Sequence, residues 1–422
     1  MKEKPKYKSL KGMPDILPEQ MRIMRWVEKE ARSMFHLFGY SEIGTPLLEA
    51  TEVFARSIGE NTDIVEKEMY SFVDRGGKHI SLRPEGTASV IRSYIEQCFF
   101  ENKDLIKLFY TGPMFRGERP QKGRLRQFHQ IGVEAIGFSH PQIDAELIFS
   151  LNQLLTKLKI SGFTVLVNSL GCSNDRKIFE KELKKYLKTR KSDLCENCQK
   201  RSEKNVLRVL DCKRELCRKV MEKAPKIASF LCDGCAEDFK TTRDILASLK
   251  VAYQVKEDLV RGLDYYTGVI FEVIHPALGA QDALAAGGRY DNLSVQMGGP
   301  EVGASGYALG MERLLLAIDE KDLPEYVPGV LIVYIDKELR KEAFELALKL
   351  LSRDIGCEID HSGRSFKGQM RKANREKRPF IILMGSEEVK QKKCLVKNMK
   401  TGEQELLAFE KCVDFFGSLG QE

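Results

Sequence analysis

The sequence predicts an α+β domain on an antiparallel sheet flanked by helices, a helical insertion within it, and a smaller α/β domain after it. Three observations predict this. Two β-type runs, 108–115 and 128–136, flank a basic loop marked by Gly and Pro, the pattern of antiparallel strands joined by a long connection. Residues 172–242 are lysine-rich and helix-prone, and from Cys195 onward they hold six of the eleven cysteines. Beyond a linker at 322–328 with two prolines, strand-like and helical segments alternate, which implies largely parallel pairing. The expected boundaries are 1–171 with 243–323 for the main domain, 172–242 for the insertion and 328–422 for the last domain.

The elements follow in order. Met21, Met24, Val27, Ala31, Met34, Phe35 and Phe38 recur at helical spacing, and Gly39 is placed to stop that helix. Residues 40–48 carry turn and strand signals around Gly44-Thr-Pro46. Short β runs are expected at 163–167 and at 266–274, the latter rich in β-branched and aromatic residues. In the last domain, strands are expected at 330–335, 357–359 and 380–384, with helices at 337–353 and 368–378. The second of these helices is basic.

Composition excludes some classes. Apolar residues make up 42% and charged residues 31%, a globular balance. The net charge of +7, from 68 basic and 61 acidic residues, permits a nucleic-acid partner without demanding one. Apolar runs such as Phe380-Ile-Ile-Leu-Met384 fall far short of the ~20 residues that span a bilayer. The first eight residues are basic and lack the apolar core of a signal peptide. The cysteines are read as mostly reduced thiols in a cytoplasm.

Four stretches carry chemistry. In Ser81-Leu-Arg-Pro-Glu-Gly-Thr87, Glu85 and Thr87 can offer an anion and a hydroxyl to a substrate ammonium. A surface turn with a solvated Glu is the plainer reading of that stretch alone. The second runs from Met114 to Gln130. Arg116, Arg119, Lys122, Arg124 and Arg126 surround one acid, Glu118, and arginine forks grip phosphate oxygens bidentately. A solvated basic loop is the alternative, and there is no Walker lysine pattern. The third is Leu259-Val-Arg-Gly-Leu-Asp-Tyr-Tyr-Thr-Gly268 with Gly287-Gly-Arg-Tyr-Asp291. Tyr265, Tyr266 and Tyr290 can wall a pocket for a small planar group, and Arg261 can approach a carboxylate or phosphate. Core packing is the commoner fate of such tyrosines. In the fourth, Gly303-Ala-Ser-Gly-Tyr-Ala-Leu-Gly-Met-Glu-Arg313, Gly306 and Gly310 leave room over a strand-to-helix passage. Arg313 falls on the helix's opening turn, a costly place for a cation unless polyphosphate sits there.

In this order, the stretches resemble the class II aminoacyl-tRNA synthetases. Residues 39–46 look like motif 1, Phe115-Arg-Gly-Glu118 through Phe128 like motif 2, and Gly306 to Arg313 like motif 3. Leu82-Arg-Pro-Glu-Gly-Thr87, Leu259-Val-Arg-Gly-Leu-Asp-Tyr-Tyr266 and Gly287-Gly-Arg-Tyr-Asp291 resemble the histidine-specific members. The resemblance spans residues 11–323 and continues more weakly into a C-terminal anticodon-binding module. It implies histidine–tRNA ligation through a histidyl-adenylate, with ATP and Mg²⁺, in a homodimer formed through motif 1.

The resemblance also implies roles. Arg116 would hold the α-phosphate, Glu118 the adenine edge, Phe128 the adenine face, and Arg124 and Arg313 the γ-phosphate region. Glu85, Gly86, Thr87 and Gln130 would surround the α-amino group of histidine. Glu134 and Tyr266 would bond the imidazole nitrogens, with Tyr265 and Tyr290 beside them. A neutral imidazole offers one donor and one acceptor, which suits an acid and a phenol. Arg261 would steady the α-phosphate during attack, so Arg261 and Arg116 are the expected catalytic pair. Gln121 and Lys122 would meet the acceptor end of tRNA. Lys367, Arg371, Lys372, Arg375, Lys377 and Arg378 could contact the anticodon arm or simply form a solvated face.

Two other readings remain. A catalytically silent relative, the synthetase-like regulatory subunit of ATP phosphoribosyltransferase, would depart from the catalytic motifs and usually lack the last domain. A plain RNA-binding protein would not place Glu85 and Glu134 in a phosphate groove. Cys195-Glu-Asn-Cys198 and Cys232-Asp-Gly-Cys235 could together supply one tetrahedral zinc ion. A reduced, partly buried cluster is the favoured reading, so no metal ligand is assigned. The lone histidines have no ligand spacing, and strand alternation points His129 away from Gln130.

Overall fold

The structure, a computed structural model, describes residues 6–59, 62, 64–102, 104–279 and 282–419. The chain divides into two compact units, Met1–Leu323 and Pro324–Glu422.

The first unit contains β1 (Ser41–Glu42), β2 (Leu48–Ala50), β3 (Ser71–Val73), β4 (His79–Leu82), β5 (Ile106–Phe115), β6 (Gln127–Gly137), β7 (Thr164–Ser169), β8 (Tyr253–Val255), β9 (Thr267–Ile274), β10 (Ala283–Arg289) and β11 (Gly303–Gly310). Eight of these form one sheet in the order β1-β5-β6-β11-β10-β9-β7-β8, and β2-β4-β3 form a small antiparallel one. The interior pairs of the large sheet are antiparallel, while β1 and β8 join its edges in parallel.

Strand alternation gives the sheet two unlike faces. On one, Phe109, Val133, Val269, Phe271, Tyr307 and Leu309 form a core with the helices Pro18–Leu37 and Pro141–Lys157. The first helix begins on Pro18, where its fixed φ suits the opening turn, and buries Met24, Val27, Ala31, Met34 and Phe35. Gly39 follows at φ +79°, a left-handed turn that ends it. On the opposite face, Tyr110, Ile136, Leu166, Ile270 and Ala304 pack with the helix Thr87–Glu96 and with the insertion.

The structure departs from the expected elements in informative ways. β10 and β11 lie at the centre of the sheet, yet their Ala- and Gly-rich sequences have little β propensity. Pairing on both sides makes them strands. The insertion contains the helices Ser173–Lys188, Glu196–Lys204 and Glu215–Glu222, but it is no separate body. Its Phe179, Leu183, Leu187, Val206 and Cys217 share one core with the sheet. The following helix, Asp233–Ser248, crosses the expected boundary at 242 and buries Leu246 in the core on the far face.

The second unit holds β12 (Val330–Tyr334), β13 (Cys357–Ile359), β14 (Phe380–Met384), β15 (Lys393–Asn398) and β16 (Gln404–Ala408), in the order β13-β12-β14-β15-β16. The first two pairings are parallel and the last two antiparallel, so the expectation of largely parallel pairing holds for only three strands. β15 and β16 carry Lys393, Lys397, Gln404 and Glu405, which dilute their apolar pattern. In the basic helix, Phe366–Arg375, and the turn after it, Lys367, Arg371, Arg375 and Lys377 are exposed. Lys372 and Arg378 are instead engaged by Glu358.

Arg289 ties three elements of the first unit together. From β10 its guanidinium reaches Asp144 on the helix Pro141–Lys157 and, at 2.8 Å, Asp238 on the helix Asp233–Ser248. Ser305 on β11 donates to Asp144 at 2.8 Å. Burial raises the Asp144 pKa to about 6, against the opposing pull of Arg289. Arg289→Met strands that carboxylate without its countercharge. The variant is expected to lose about 3–5 kcal/mol in chemical denaturation, and an unchanged midpoint would remove this linkage from the stability of the fold.

Candidate active site

The site is a floor of small residues with a carboxylate set into it. Gln130, Gly132 and Glu134 alternate along β6 and point to one face. Across the sheet, Glu134 aligns with Gly306 of β11, which aligns with Gly288 of β10. Tyr110 of β5 lies opposite Gly132. A Cβ on Gly132 would fall 2.1 Å from the Tyr110 ring, and one on Gly306 would fall 1.9 Å from Glu134 Oε2. Glycine is thus needed at both positions for the two larger side chains to lie flat.

Glu134 is fully buried. Its Oε1 accepts from Thr87 Oγ1 at 2.7 Å and from the Tyr110 hydroxyl at 3.4 Å, and its Oε2 accepts from the Tyr290 hydroxyl. Burial nevertheless pushes its pKa up to about 8, because these bonds only partly replace hydration. Tyr265 lies 4.7 Å from Tyr266 and 5.7 Å from Tyr290 between ring centroids, and all three rings are buried. Two phenols, those of Tyr110 and Tyr290, thus bond Glu134, with Tyr265 and Tyr266 in the adjoining cluster.

Glu85 is buried too, which displaces the reading of a solvated surface turn. Its carboxylate accepts from the backbone N–H groups of Thr87 at 2.7 Å and Ala88 at 2.9 Å, closing the N-terminus of the helix Thr87–Glu96 with Gly86 as the cap position. Burial raises its pKa, opposed by those backbone bonds and by the charge of Arg116.

Cations line the same region. Arg116 donates from Nε to the Pro84 carbonyl at 2.9 Å, and its guanidinium lies 5.2 Å from the Phe128 ring. Arg124 pairs with Glu118 at 2.9 Å. β11 runs directly into the helix Met311–Ala317, which puts Arg313 on the opening turn, where it donates to the Ala283 carbonyl. Burial, and then the charge of Arg124, holds the Arg313 pKa below its usual value. Arg261 donates from Nη1 to Glu272 at 3.0 Å, and the charge of Glu272 also acts on Arg313. Cations distant in sequence therefore share one acid. Arg261 Nε and Gln130 Oε1 are buried with no hydrogen-bond partner among the described residues, as expected where a polar ligand completes a site.

The remaining expected residues fall apart from this floor. Gln121 and Lys122 lie exposed at the loop tip, where Gln121 and Arg124 form an isolated bridge. His129 turns to the other side and pairs with Glu312 at 2.9 Å. The two C-x-x-C pairs do not face one another. Cys195 and Cys198 gather with Cys212 and Cys217, while Cys232 and Cys235 gather with Cys172 and Asp175. Sequence reasoning missed Tyr110 and Glu272. A lone acid in the apolar run 269–274 was the available signal for Glu272, and alternation opposite Gly132 was the signal for Tyr110.

Residues 12–314 match the family model described as histidyl-tRNA synthetase, and residues 329–419 match that of an anticodon binding domain. The chain belongs to the histidyl-tRNA synthetase family. It is 46% identical over 400 residues to the histidine–tRNA ligase of Halothermothrix orenii, covering 94% of this chain and 96% of the relative. The structure of apo S. aureus histidyl-tRNA synthetase matches with a TM-score of 0.82 at 34% identity, covering 97% of this chain and all of that one. An ATP phosphoribosyltransferase regulatory subunit/histidyl-tRNA synthetase from Bacillus halodurans shares the fold, with a TM-score of 0.65 at 22% identity and 91% of this chain covered. The architecture is accordingly the class II synthetase fold, a large mixed sheet flanked by helices with a C-terminal anticodon-binding domain, and the enzyme class is ligase. No helix among the described residues is long and apolar enough to cross a membrane.

The Glu134 pKa has a consequence for stability. It is about 8 in the folded chain against 4.5 ordinarily, so folding holds a proton that the unfolded chain gives up. Its contribution is whole below pH 4.5 and declines as pH rises to about 8. Glu134→Gln should flatten that part of the stability profile, read from urea midpoints across the window. An equal slope in both proteins would show that Glu134 ionises normally.

Proposed function

We propose that this chain joins histidine to the 3′ end of its tRNA in two steps on the glycine floor of the sheet. In the first, a carboxylate oxygen of histidine attacks the α-phosphorus of ATP, forming histidyl-adenylate and releasing diphosphate. In the second, a terminal ribose hydroxyl of the tRNA attacks the adenylate carbonyl, and AMP leaves. The nucleophiles belong to the substrates, so the protein's work is positioning and charge stabilisation.

The reading rests on the buried, hydrogen-bonded Glu134, together with Gln130 Oε1 on the same strand face and Arg261 Nε, both buried without a hydrogen-bond partner among the described residues. Glu134, with Tyr266 alongside and Tyr265 and Tyr290 as walls, suits an imidazole. Amino acids without that donor and acceptor would leave buried groups unpaired. Glu85, Gly86, Thr87 and Gln130 receive the α-amino group. Arg116 and Arg261 hold the α-phosphate, Phe128 stacks on adenine, Glu118 meets its edge, and Arg124 and Arg313 take the terminal phosphate.

The family implies ATP and a divalent metal. Glu272, which accepts from Arg261 at 3.0 Å, is a carboxylate on this face that neither caps a helix nor bonds a tyrosine, and one or two carboxylates with phosphates and water are a usual Mg²⁺ set. The residues thus fit a Mg²⁺ held mostly by the nucleotide, where it would neutralise phosphate charge.

Gln121 and Lys122, exposed at the loop tip, are proposed to meet the acceptor end of tRNA, and the exposed Lys367, Arg371, Arg375 and Lys377 its anticodon arm. A homodimer is supported by the small sheet, whose Leu48, Phe72 and Val73 are exposed. A cytoplasmic setting is supported by eleven cysteines without a disulfide.

Histidine-dependent exchange of diphosphate into ATP tests the reading. Exchange is expected with histidine and with no other amino acid. Arg261→Ala should lower it by about 100-fold or more while the fold persists. Absence of exchange in the intact protein would favour a silent regulatory role.

A further inference from the structure

The cysteines of the insertion are the chemistry that the ligase reaction leaves unused. Cys195 and Cys198 bracket the start of the helix Glu196–Lys204, Cys212 sits in the turn after the short 3₁₀ segment Val206–Val209, and Cys217 lies on the helix Glu215–Glu222. Three separate segments thus bring four thiols together, with every pair of Sγ atoms within 4.8 Å. Cys195 Sγ and Cys212 Sγ are 4.0 Å apart. For a Zn–S bond of about 2.3 Å, a tetrahedron has edges of about 3.8 Å. The thiols need close by no more than about an ångström, within reach of side-chain rotation. None of the four is in a disulfide, and Cys195, Cys198 and Cys217 are buried. The backbone N–H of Cys195 also donates to Cys217 Sγ at 3.2 Å, the outer bond that a metal-bound thiolate accepts.

The second set stands at the base of the insertion. Cys172 and Asp175 open the helix Ser173–Lys188, while Cys232 and Cys235 open the helix Asp233–Ser248. One ligand atom from each again lies within 4.8 Å of the others. Asp175 is fixed by the backbone N–H of Cys172 at 3.2 Å. This set therefore joins the two ends of the insertion, as the first joins its middle.

We propose that the insertion carries two structural Zn²⁺ sites, a Cys₄ site of Cys195, Cys198, Cys212 and Cys217 and a Cys₃Asp site of Cys172, Asp175, Cys232 and Cys235. Tetrahedral sets rich in thiolate select zinc among the divalent ions. Both pairs in C-x₂-C-x₁₃-C-x₄-C fall within the two-to-four-residue spacing usual for paired zinc ligands. The helices that bear Cys198 and Cys217 have nine and eight residues, too short to hold themselves. A metal tether gives this segment the rigidity that its local sequence lacks.

That rigidity reaches the pocket. Asn205 donates to Asp264 at 2.9 Å, and Arg176 donates to the backbone carbonyls of Asp264 at 2.8 Å and Tyr266 at 3.3 Å. The insertion thereby holds the strip that bears Arg261, Tyr265 and Tyr266.

The test is elemental analysis of the untagged, full-length protein purified under reducing conditions without chelator. About two zinc equivalents per chain are expected, falling to about one in Cys198→Ser, about one in Cys232→Ser and none in the double variant. Titration of the reduced, metal-stripped chain with Co²⁺ should give the ligand-field and thiolate charge-transfer bands of tetrahedral sites. Zinc removal should lower the melting temperature, and added Zn²⁺ should restore it. Should a variant fail to fold, the wild-type metal content and the Co²⁺ spectrum still decide. A wild-type chain without metal and without those bands overturns the proposal. Iron in place of zinc overturns the metal assignment, and a single equivalent indifferent to Cys232→Ser overturns the Asp175 site.

Discussion

A carboxylate held away from water must find its hydrogen bonds inside the protein, and Glu134 meets that demand at the centre of the large sheet. Three hydroxyls, from Thr87, Tyr110 and Tyr290, surround its two oxygens. They come from a helix N-terminus, from β5 and from the turn after β10. Each element must arrive in register, or a buried acid is left unsatisfied. Burial pushes the Glu134 pKa up to about 8, since three hydroxyls only partly replace the lost water.

The glycines of β6, β10 and β11 follow from the same demand. Flat strands with almost no side chains would be weak on their own, since packing stabilises strands. Here the missing side chains on one face are offset by an apolar core on the other, where Val133, Tyr307 and Phe271 pack on two long helices. One face of the sheet supplies the stability and the other the space. The insertion closes over the second face through a shared core, which explains why it is not a separate body despite its different composition.

Charge is arranged with similar economy. Arg116, Arg261 and Arg313 are spread over almost two hundred positions of sequence, yet Arg261 and Arg313 both feel Glu272, and Glu85 feels Arg116. Cations gathered around one binding face repel unless acids stand among them, and Arg124 already acts in this way on Arg313. The acids on this face therefore keep the cations in place before any phosphate arrives. The same logic accounts for Lys372 and Arg378 in the C-terminal unit, which Glu358 draws away from the surface.

Much of this was readable beforehand because it is local. The helix Pro18–Leu37, the β5–β6 pair and the β12–β14 pattern follow from apolar periodicity, and Arg313 on an opening turn follows from Gly310 and the apolar run after it. The motif residues could likewise be named in order, since spacing along the chain is itself the signal. Periodicity was silent where pairing made the element: β10 and β11 have too few side chains to show a pattern, and β15 and β16 too many charged ones. Only the tertiary structure decided that Glu85 is buried, that the phenols on Glu134 are those of Tyr110 and Tyr290, and that the cysteines divide into two sets. Those facts depend on contacts between segments far apart in sequence, and burial, partner choice and ligand grouping are properties of such contacts, to which local spacing carries no information.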